Sequence, residues 1–288
     1  MVIHDFESGE TRVVARSSGE TLIPEALSTP EALVWETGEN ESAHGLLYPP
    51  ASTKFESAGK PPLLVLIHGG PTAQARAQWN PQAQFFATRG YAVLMVNHRG
   101  STGYGREYMT RLRGDWGICD VEDAVSGVTH LVEADRIDAS RTAIVGGSAG
   151  GFTVLHTMIT HPEAFTAGVS LYGVSNQFSL VSDTHKFEER YSESLLGPLP
   201  DRAEVYRERS PVFHADKIRR PLAVFQGEID QVVPRDQSDS IVAALKRGGT
   251  PHFYHVYEGE GHGWRQCETI EHFYNAVADF LREHVVFS

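Results

Sequence analysis

Cysteine is scarce in this sequence. Only Cys119 and Cys267 occur among 288 residues, and their positions match no metal-binding or redox spacing. We therefore expect two free thiols and no bound metal.

Long apolar runs and an excess of positive charge are also missing. No stretch approaches the length of a membrane-spanning helix, and the first ten residues, MVIHDFESGE, lack the basic and apolar regions of a signal peptide. The 25 Lys and Arg residues are outnumbered by 37 Asp and Glu, which argues against nucleic acid or an anionic membrane as a partner. These features predict a soluble cytoplasmic protein, and they leave open whether it forms a homo-oligomer.

The order of apolar segments predicts an α/β fold. From residue 61 onward, strand-like runs at 63–67, 92–96, 142–145, 169–172, 222–226 and 252–257 are interspersed with helical patterns at 81–89, 120–133, 152–160, 237–247 and 268–284. Such alternation is typical of a mainly parallel sheet covered by helices on both faces. Ligands in these folds bind beyond the carboxyl ends of the strands.

Two regions depart from this pattern. Residues 1–60 are polar and rich in turn formers, with short strand-like pieces at 11–16, 32–35 and 45–48, so we expect an N-terminal extension before a domain at 61–288. Residues 173–220 contain no predicted strand and carry several aromatic residues. We interpret this segment as a helical excursion over the active end of the sheet, although packing on the solvent side would explain the aromatic residues as well.

The turn at residues 146–151 has the pattern GxSxG, with Ser148 at its centre. Such a turn is either a glycine-rich loop with an incidental serine or a nucleophile elbow, in which a strained backbone exposes the serine hydroxyl. The strand before it and the helix after it favour the elbow. In that case the neighbouring glycines are required because a side chain would collide with an adjacent strand or helix.

A serine hydroxyl needs a base and a carboxylate to become a nucleophile. Asp230 follows the strand at 222–226, and His262 lies between glycines after the strand at 252–257, in the chain order expected after the elbow. Glu228 is the rival acid, whereas Asp120 and Asp123 open a helix, where the helix dipole explains a carboxylate.

Two backbone N–H groups are expected to stabilise the oxyanion of an acyl-transfer reaction. One belongs to Ala149, directly after the serine, and the other should come from the loop after the strand at 63–67, where we favour Gly70. His68 in this loop is interpreted as a packing and loop-orienting residue.

With these motifs, the chain resembles the catalytic domain of the prolyl oligopeptidase family of serine peptidases, especially its acylaminoacyl-peptidase and dipeptidyl-peptidase-like branches. The resemblance covers residues 31–284 and rests on an ordered set of motifs: HGGP at His68, NHRGSTGYG at Asn97, DWG at Asp115, GGSAGG at Gly146, ERSPVFH at Glu208, QGEIDQVVP at Gln226 and EGEGHGW at Glu258. The set is specific, although each motif alone is weak. It implies an α/β-hydrolase fold and the triad Ser148, Asp230 and His262.

The sequence also departs from the family pattern. Ala149 and His98 stand where many members have tyrosine, and a chain of 288 residues leaves no room for the β-propeller that precedes the hydrolase domain in full-length members. The piece at 11–16 is similar to a last propeller strand. Both an excised catalytic domain and a natural stand-alone domain therefore stay open.

The resemblance implies that the enzyme releases acylated or free N-terminal residues from short peptides through an acyl-enzyme, with no cofactor. By family analogy, Val233 lies near the acyl group, and the excursion supplies the pocket walls Phe178, Phe187 and Tyr191. A carboxylesterase that acts on short-chain or aromatic acyl esters is the alternative, because the fold hosts both activities. A non-enzymatic binding module is disfavoured because all three triad positions are filled.

Overall fold

A central eight-stranded sheet organises the protein in the computed structural model, which describes residues 1–16, 23–38, 40–56, 59–183 and 190–288. The strands are, in chain order, β1 (Val2–His4), β2 (Thr11–Val13), β3 (Glu31–Thr37), β4 (Glu41–Tyr48), β5 (Leu63–Ile67), β6 (Ala92–Asn97), β7 (Thr142–Gly147), β8 (Ala167–Leu171), β9 (Leu222–Gly227) and β10 (His252–Tyr257). Strands β1 and β2 form a separate antiparallel pair. The central sheet has the order β10-β9-β8-β7-β5-β6-β4-β3.

The pairing confirms the predicted mainly parallel sheet. Strands β5 to β10 pair in parallel, and β3 and β4 add two antiparallel strands at the edge next to β6. The central strand β5 has the sequence LLVLI and is buried along its whole length. A strand covered on both faces needs such a continuous apolar run rather than an alternating one.

Helices cover both faces of the sheet, as predicted. They are α1 (Pro81–Ala87), α2 (Arg106–Thr110), α3 (Cys119–Glu133), α4 (Ala149–Thr160), α5 (Gln177–Asp183), α6 (Tyr191–Leu196), α7 (Ala203–Glu208), α8 (Arg235–Gly248) and α9 (Cys267–Leu281), and α9 continues into a π-helical turn over Arg282–Val286. Helices α3, α4 and α8 supply one apolar core, and α1 and α9 supply the other. Within the described ranges, no helix is both long and apolar enough to cross a bilayer.

Part of the predicted N-terminal extension belongs to the central sheet. Strands β3 and β4 pair with each other and then with β6, and Trp35 and Leu47 are buried in the same core as the parallel strands. The boundary expected at residue 60 therefore does not hold for residues 31–48. The edge strand β3 is exposed along much of its length, so its apolar pattern is weak in the sequence.

An ion-pair network centred on the buried Arg99 ties this β-hairpin to α3. The guanidinium of Arg99 lies 2.5 Å from Glu41, 2.7 Å from Glu122 and 2.9 Å from Asp123. Asp123 also accepts a hydrogen bond from the Thr37 hydroxyl at 2.8 Å. The helix dipole alone does not account for Asp123, because its carboxylate is buried and paired with Arg99.

The excursion at 173–220 is helical, as predicted, in the residues that the structure describes. Helices α5, α6 and α7 are followed by 3₁₀ turns at Pro211–Phe213 and Ala215–Lys217. Leu195, Leu196 and Tyr206 form an apolar cluster with Ala149 and Val233. The excursion therefore packs on the turn that carries Ser148.

Candidate active site

The backbone at Ser148 has the strained geometry of a nucleophile elbow. Strand β7 ends at Gly147 and α4 begins at Ala149, so a single residue makes the turn, with φ 58° and ψ −123°. A positive φ is rare for a residue with a side chain and is tolerated where the surrounding structure enforces it. Here the N–H of Ser148 donates to the carbonyl of Leu171 at 3.0 Å, and its carbonyl accepts from the N–H of Phe152 at 3.0 Å.

The flanking glycines are required for the reason that the sequence suggested. A Cβ atom on Gly146 would lie 2.3 Å from the carbonyl oxygen of Gly150, and one on Gly150 would lie 2.4 Å from that of Ile67. Both obstacles are backbone atoms, which cannot rotate away. Helix α4 begins at Ala149, three residues before its predicted start at residue 152.

Asp230 and His262 form a hydrogen-bonded pair beyond the ends of β9 and β10. Nδ1 of His262 lies 2.7 Å from Oδ2 of Asp230, and the carboxylate side chain is fully buried. The other oxygen accepts from the N–H groups of Val232 at 2.8 Å and Val233 at 3.0 Å. Because a carboxylate only accepts, Nδ1 carries the proton and Nε2 is left as the basic nitrogen.

The rival acid Glu228 has a different partner. Its carboxylate is exposed and accepts a hydrogen bond from the N–H of Gly259 at 3.1 Å. Asp230, and not Glu228, therefore holds the imidazole of His262.

Tyr172 is a site residue that the sequence analysis missed. It follows β8 directly and has a φ of 38°, a strained value for tyrosine. Its ring lies 4.5 Å from the ring of His262, and a Cβ on Gly147 would come within 3.0 Å of it. Burial raises the pKa of its hydroxyl. The sequence contains no local signal for a tyrosine in this backbone conformation, because the tertiary contacts enforce it.

The HGGP loop lies beside Ser148. A Cβ on Gly69 would be 3.5 Å from that of Ser148, and Gly70 has a φ of 125°. Within the described part of the chain, neither the N–H of Gly70 nor that of Ala149 donates a hydrogen bond to a protein acceptor. Both expected oxyanion donors are thus available to a substrate.

His68 orients this loop. Burial lowers the pKa of its imidazole to about 3, so the ring is neutral at pH 7. Nδ1 donates to the carbonyl of Gly69 at 2.8 Å, and Nε2 accepts from the hydroxyl of Ser101 at 2.8 Å. These contacts agree with the interpretation of His68 as a loop-orienting residue.

The predicted pocket residues have different surroundings. Val233 is buried in the cluster that contains Ala149, and Tyr191 packs against it. The Tyr191 hydroxyl lies 3.1 Å from the N atom of Thr72 and 2.5 Å from its hydroxyl. Phe178 packs mainly within the excursion, with its ring 5.5 Å from that of Tyr206. Phe187 lies outside the described residues.

The parallel sheet, the strained serine between β7 and α4, and the Asp–His pair on later loops define an α/β-hydrolase. More specifically, the chain belongs to the prolyl oligopeptidase family of peptidases, whose family model matches residues 77–287. The resemblance found in the sequence motifs is thereby confirmed.

Several known peptidases are similar to this chain. The dipeptidyl aminopeptidase BIII of Pseudoxanthomonas mexicana is 34% identical over 254 residues, which cover 85% of this chain and 37% of that protein. The human acylamino-acid-releasing enzyme is 32% identical over 232 residues, covering 78% of this chain and 31% of the enzyme. Among solved structures, a puromycin-hydrolyzing peptidase of Mycobacterium tuberculosis superimposes with a TM-score of 0.95 and 37% identity, covering 99% of this chain and 44% of that chain. The chain spans less than half the length of each relative.

Proposed function

We propose that this chain is the catalytic part of a serine peptidase that acts on short peptides. The observation that carries the proposal is the hydrogen bond between Asp230 and Nδ1 of His262, found together with a strained Ser148. The bond leaves Nε2 of the imidazole as the base that a serine nucleophile requires.

In the proposed mechanism, His262 takes the proton of Ser148 Oγ as this oxygen attacks the substrate carbonyl. Asp230 stabilises the resulting imidazolium, and the N–H groups of Gly70 and Ala149 bind the oxyanion. His262 then protonates the leaving amine, and water hydrolyses the acyl-enzyme by the same route in reverse. None of these steps uses a cofactor.

The relatives support peptides as substrates. Their names describe release of dipeptides, release of acylated amino acids, and hydrolysis of puromycin. We extend this class to the present chain, with Val233, Phe178 and Tyr191 proposed as the residues around the acyl side. The carboxylesterase alternative is not favoured, because the relatives named above are all peptidases.

The test compares kcat/KM for three p-nitroanilides with kcat/KM for the p-nitrophenyl esters of the same acyl groups. The three acyl groups are a free dipeptidyl, an acylaminoacyl and a free aminoacyl group. We expect cleavage of at least one anilide. In Ser148→Ala, kcat should fall by about 10⁶ while the thermal unfolding temperature is retained. Near-wild-type turnover in this variant would refute the assignment of Ser148 as the nucleophile. Cleavage of the esters alone would refute the assignment of the chain as a peptidase.

A further inference from the structure

A cavity of about 400 Å³ reaches Gly147, the residue before Ser148, at the carboxyl end of the sheet and on the face covered by α1 and α9. Gly146 and Gly147 line it with their backbone. Its walls are mainly apolar and aromatic: Pro81, Tyr172, Trp264, Ile270, Phe273 and Tyr274. This volume is in the range of small-ligand pockets.

The cavity and the excursion contact opposite neighbours of Ser148. Ala149, on one side, belongs to the apolar cluster that contains Val233 and the excursion helices. Gly147, on the other side, lines the cavity and faces the ring of Tyr172. A substrate bound at Ser148 can therefore extend towards two separate apolar regions.

The position of His262 decides which part of a substrate meets the cavity. Its ring contacts Tyr172, and Tyr172 in turn packs edge-on against Trp264, with ring centroids 5.3 Å apart. In acyl transfer by a serine, the histidine gives its proton to the leaving group. The leaving group therefore has to lie on the side of His262, where Tyr172 and Trp264 form the cavity wall.

We propose that this cavity is the leaving-group subsite, and that it takes an aromatic or bulky apolar residue on the carboxyl side of the scissile bond. The inference rests on the proposed function and adds its leaving-group specificity. Tyr172 is the wall residue closest to the chemistry, and its strained backbone holds the ring between His262 and the cavity.

The chemistry of the walls sets the preference. Four of the six wall side chains named above are aromatic, Pro81 adds an apolar ring, and the half-buried Ile270 adds an aliphatic surface. Burying an aromatic side chain against such walls favours it over glycine by at least about tenfold in kcat/KM.

The experiment measures kcat/KM for two peptide amides that share one acyl part and differ in the leaving residue, Phe-NH₂ or Gly-NH₂. We expect a Phe to Gly ratio of about ten or more in the wild type. In Ile270→Trp, which enlarges a residue of the cavity wall and so reduces the cavity volume, the ratio should fall towards one. Val34→Trp adds the same side chain on the exposed face of the edge strand β3 and should retain the wild-type ratio.

A second measurement uses the wild type only and so does not depend on a variant that folds. The acyl-enzyme formed from a shared ester is offered phenylalaninamide or glycinamide. The amine nitrogen attacks the acyl carbonyl, a peptide bond forms, and Ser148 Oγ leaves with the proton held by His262. We expect phenylalaninamide to capture about ten times more acyl group than glycinamide at equal concentration.

The outcomes separate this inference from the proposed function. Labelling of Ser148 by a fluorophosphonate, whose leaving group is a small fluoride, reports the reactive serine alone. If labelling and peptide hydrolysis occur but Phe and Gly leaving groups react equally in both measurements, the subsite is refuted and the mechanism stands. If the wild type neither labels nor hydrolyses, the proposed function fails and the inference fails with it.

Discussion

Asp230 and His262 are joined by a hydrogen bond of 2.7 Å, while the second carboxylate oxygen of Asp230 accepts from two successive backbone N–H groups. All of these donors approach a side chain that is fully buried. The carboxylate is therefore fixed from both sides, so that the orientation of the imidazole follows from the backbone of the loop after β9.

Asp230→Asn should reduce kcat by about 10⁴ while the protein stays folded. The amide oxygen can still accept from Val232 and Val233, which turns the NH₂ group towards Nδ1 of His262 and forces the wrong tautomer. Glu228→Gln is the matched control, because it makes the same change on an exposed acid that contacts Gly259, and it should leave kcat within about twofold. Similar losses in both variants would contradict the role of Asp230.

Gly146→Ala should destabilise the protein and abolish most activity. The added Cβ would lie 2.3 Å from the backbone oxygen of Gly150, so relief requires a shift of the elbow itself, and we expect a loss of about 3 kcal/mol or more in the free energy of unfolding. Gly248→Ala, at the end of α8, places its Cβ no closer than 3.6 Å to any neighbour and should leave stability unchanged or slightly raised. Denaturant unfolding and kcat/KM of both variants test this pair, and a stable, active Gly146→Ala would contradict the elbow packing.

The sequence predicted most of the sheet and the Asp–His pair because both are encoded locally. Strands β5, β8 and β9 are short, mainly apolar runs that are buried along their whole length, and Asp230 and His262 stand in short motifs after β9 and the edge strand β10. Strand ends in a parallel sheet meet at one edge, so separation along the chain did not prevent the prediction of their proximity.

Other features could not be predicted because they depend on tertiary contacts. Tyr172 becomes part of the site through a strained backbone that its neighbours enforce, and Asp123 is paired with Arg99, 24 residues away. Strand β3 exposes much of its surface, which hides its place in the central sheet. In each case the deciding contact lies outside the local pattern.

His98 should make stability depend on pH. Its side chain is 1% exposed, and burial lowers its pKa to about 4. The unfolded chain takes up a proton at this residue near pH 6.5, and the folded chain does not. The contribution of His98 to the free energy of unfolding is therefore complete above pH 6.5. It is lost as the pH falls towards 4, by about 1.4 kcal/mol per pH unit. A charge there would also lie close to the His68 ring, 4.6 Å away.

The variant His98→Asn isolates this effect. The amide can replace Nδ1 as the donor to the carbonyl of Arg99, which the imidazole contacts at 3.0 Å. Urea unfolding at pH 7.5, 6.0 and 5.0 measures the free energy of unfolding of both proteins. We expect this free energy to fall less steeply with decreasing pH in the variant, and the difference in slope should correspond to the uptake of about one proton. Equal slopes in the two proteins would mean that His98 is not buried in its neutral form.

Tyr191 links the excursion to the oxyanion loop, and its hydroxyl should therefore matter for catalysis. The Tyr191 hydroxyl contacts the N–H and the hydroxyl of Thr72, two residues after Gly70. Gly70 and Thr72 are closely packed, because a Cβ on Gly70 would lie 2.8 Å from the nitrogen of Thr72. Tyr191→Phe leaves the N–H of Thr72 without its acceptor and loosens the loop that presents the N–H of Gly70. We expect kcat/KM to fall about five- to tenfold, with a loss of about 1 kcal/mol in the free energy of unfolding.

Tyr254→Phe is the control for this prediction. It removes a hydroxyl that donates to Asp239 at 2.7 Å on the exposed side of β10. Because this hydrogen bond has no contact with the oxyanion loop, the variant should keep the wild-type kcat/KM. If Tyr191→Phe lowers only the unfolding free energy and leaves kcat/KM unchanged, the hydroxyl serves to dock the excursion and does not position Gly70. A loss of kcat/KM in Tyr191→Phe alone, with KM little changed, would instead show that the excursion helps to hold the oxyanion donor in place.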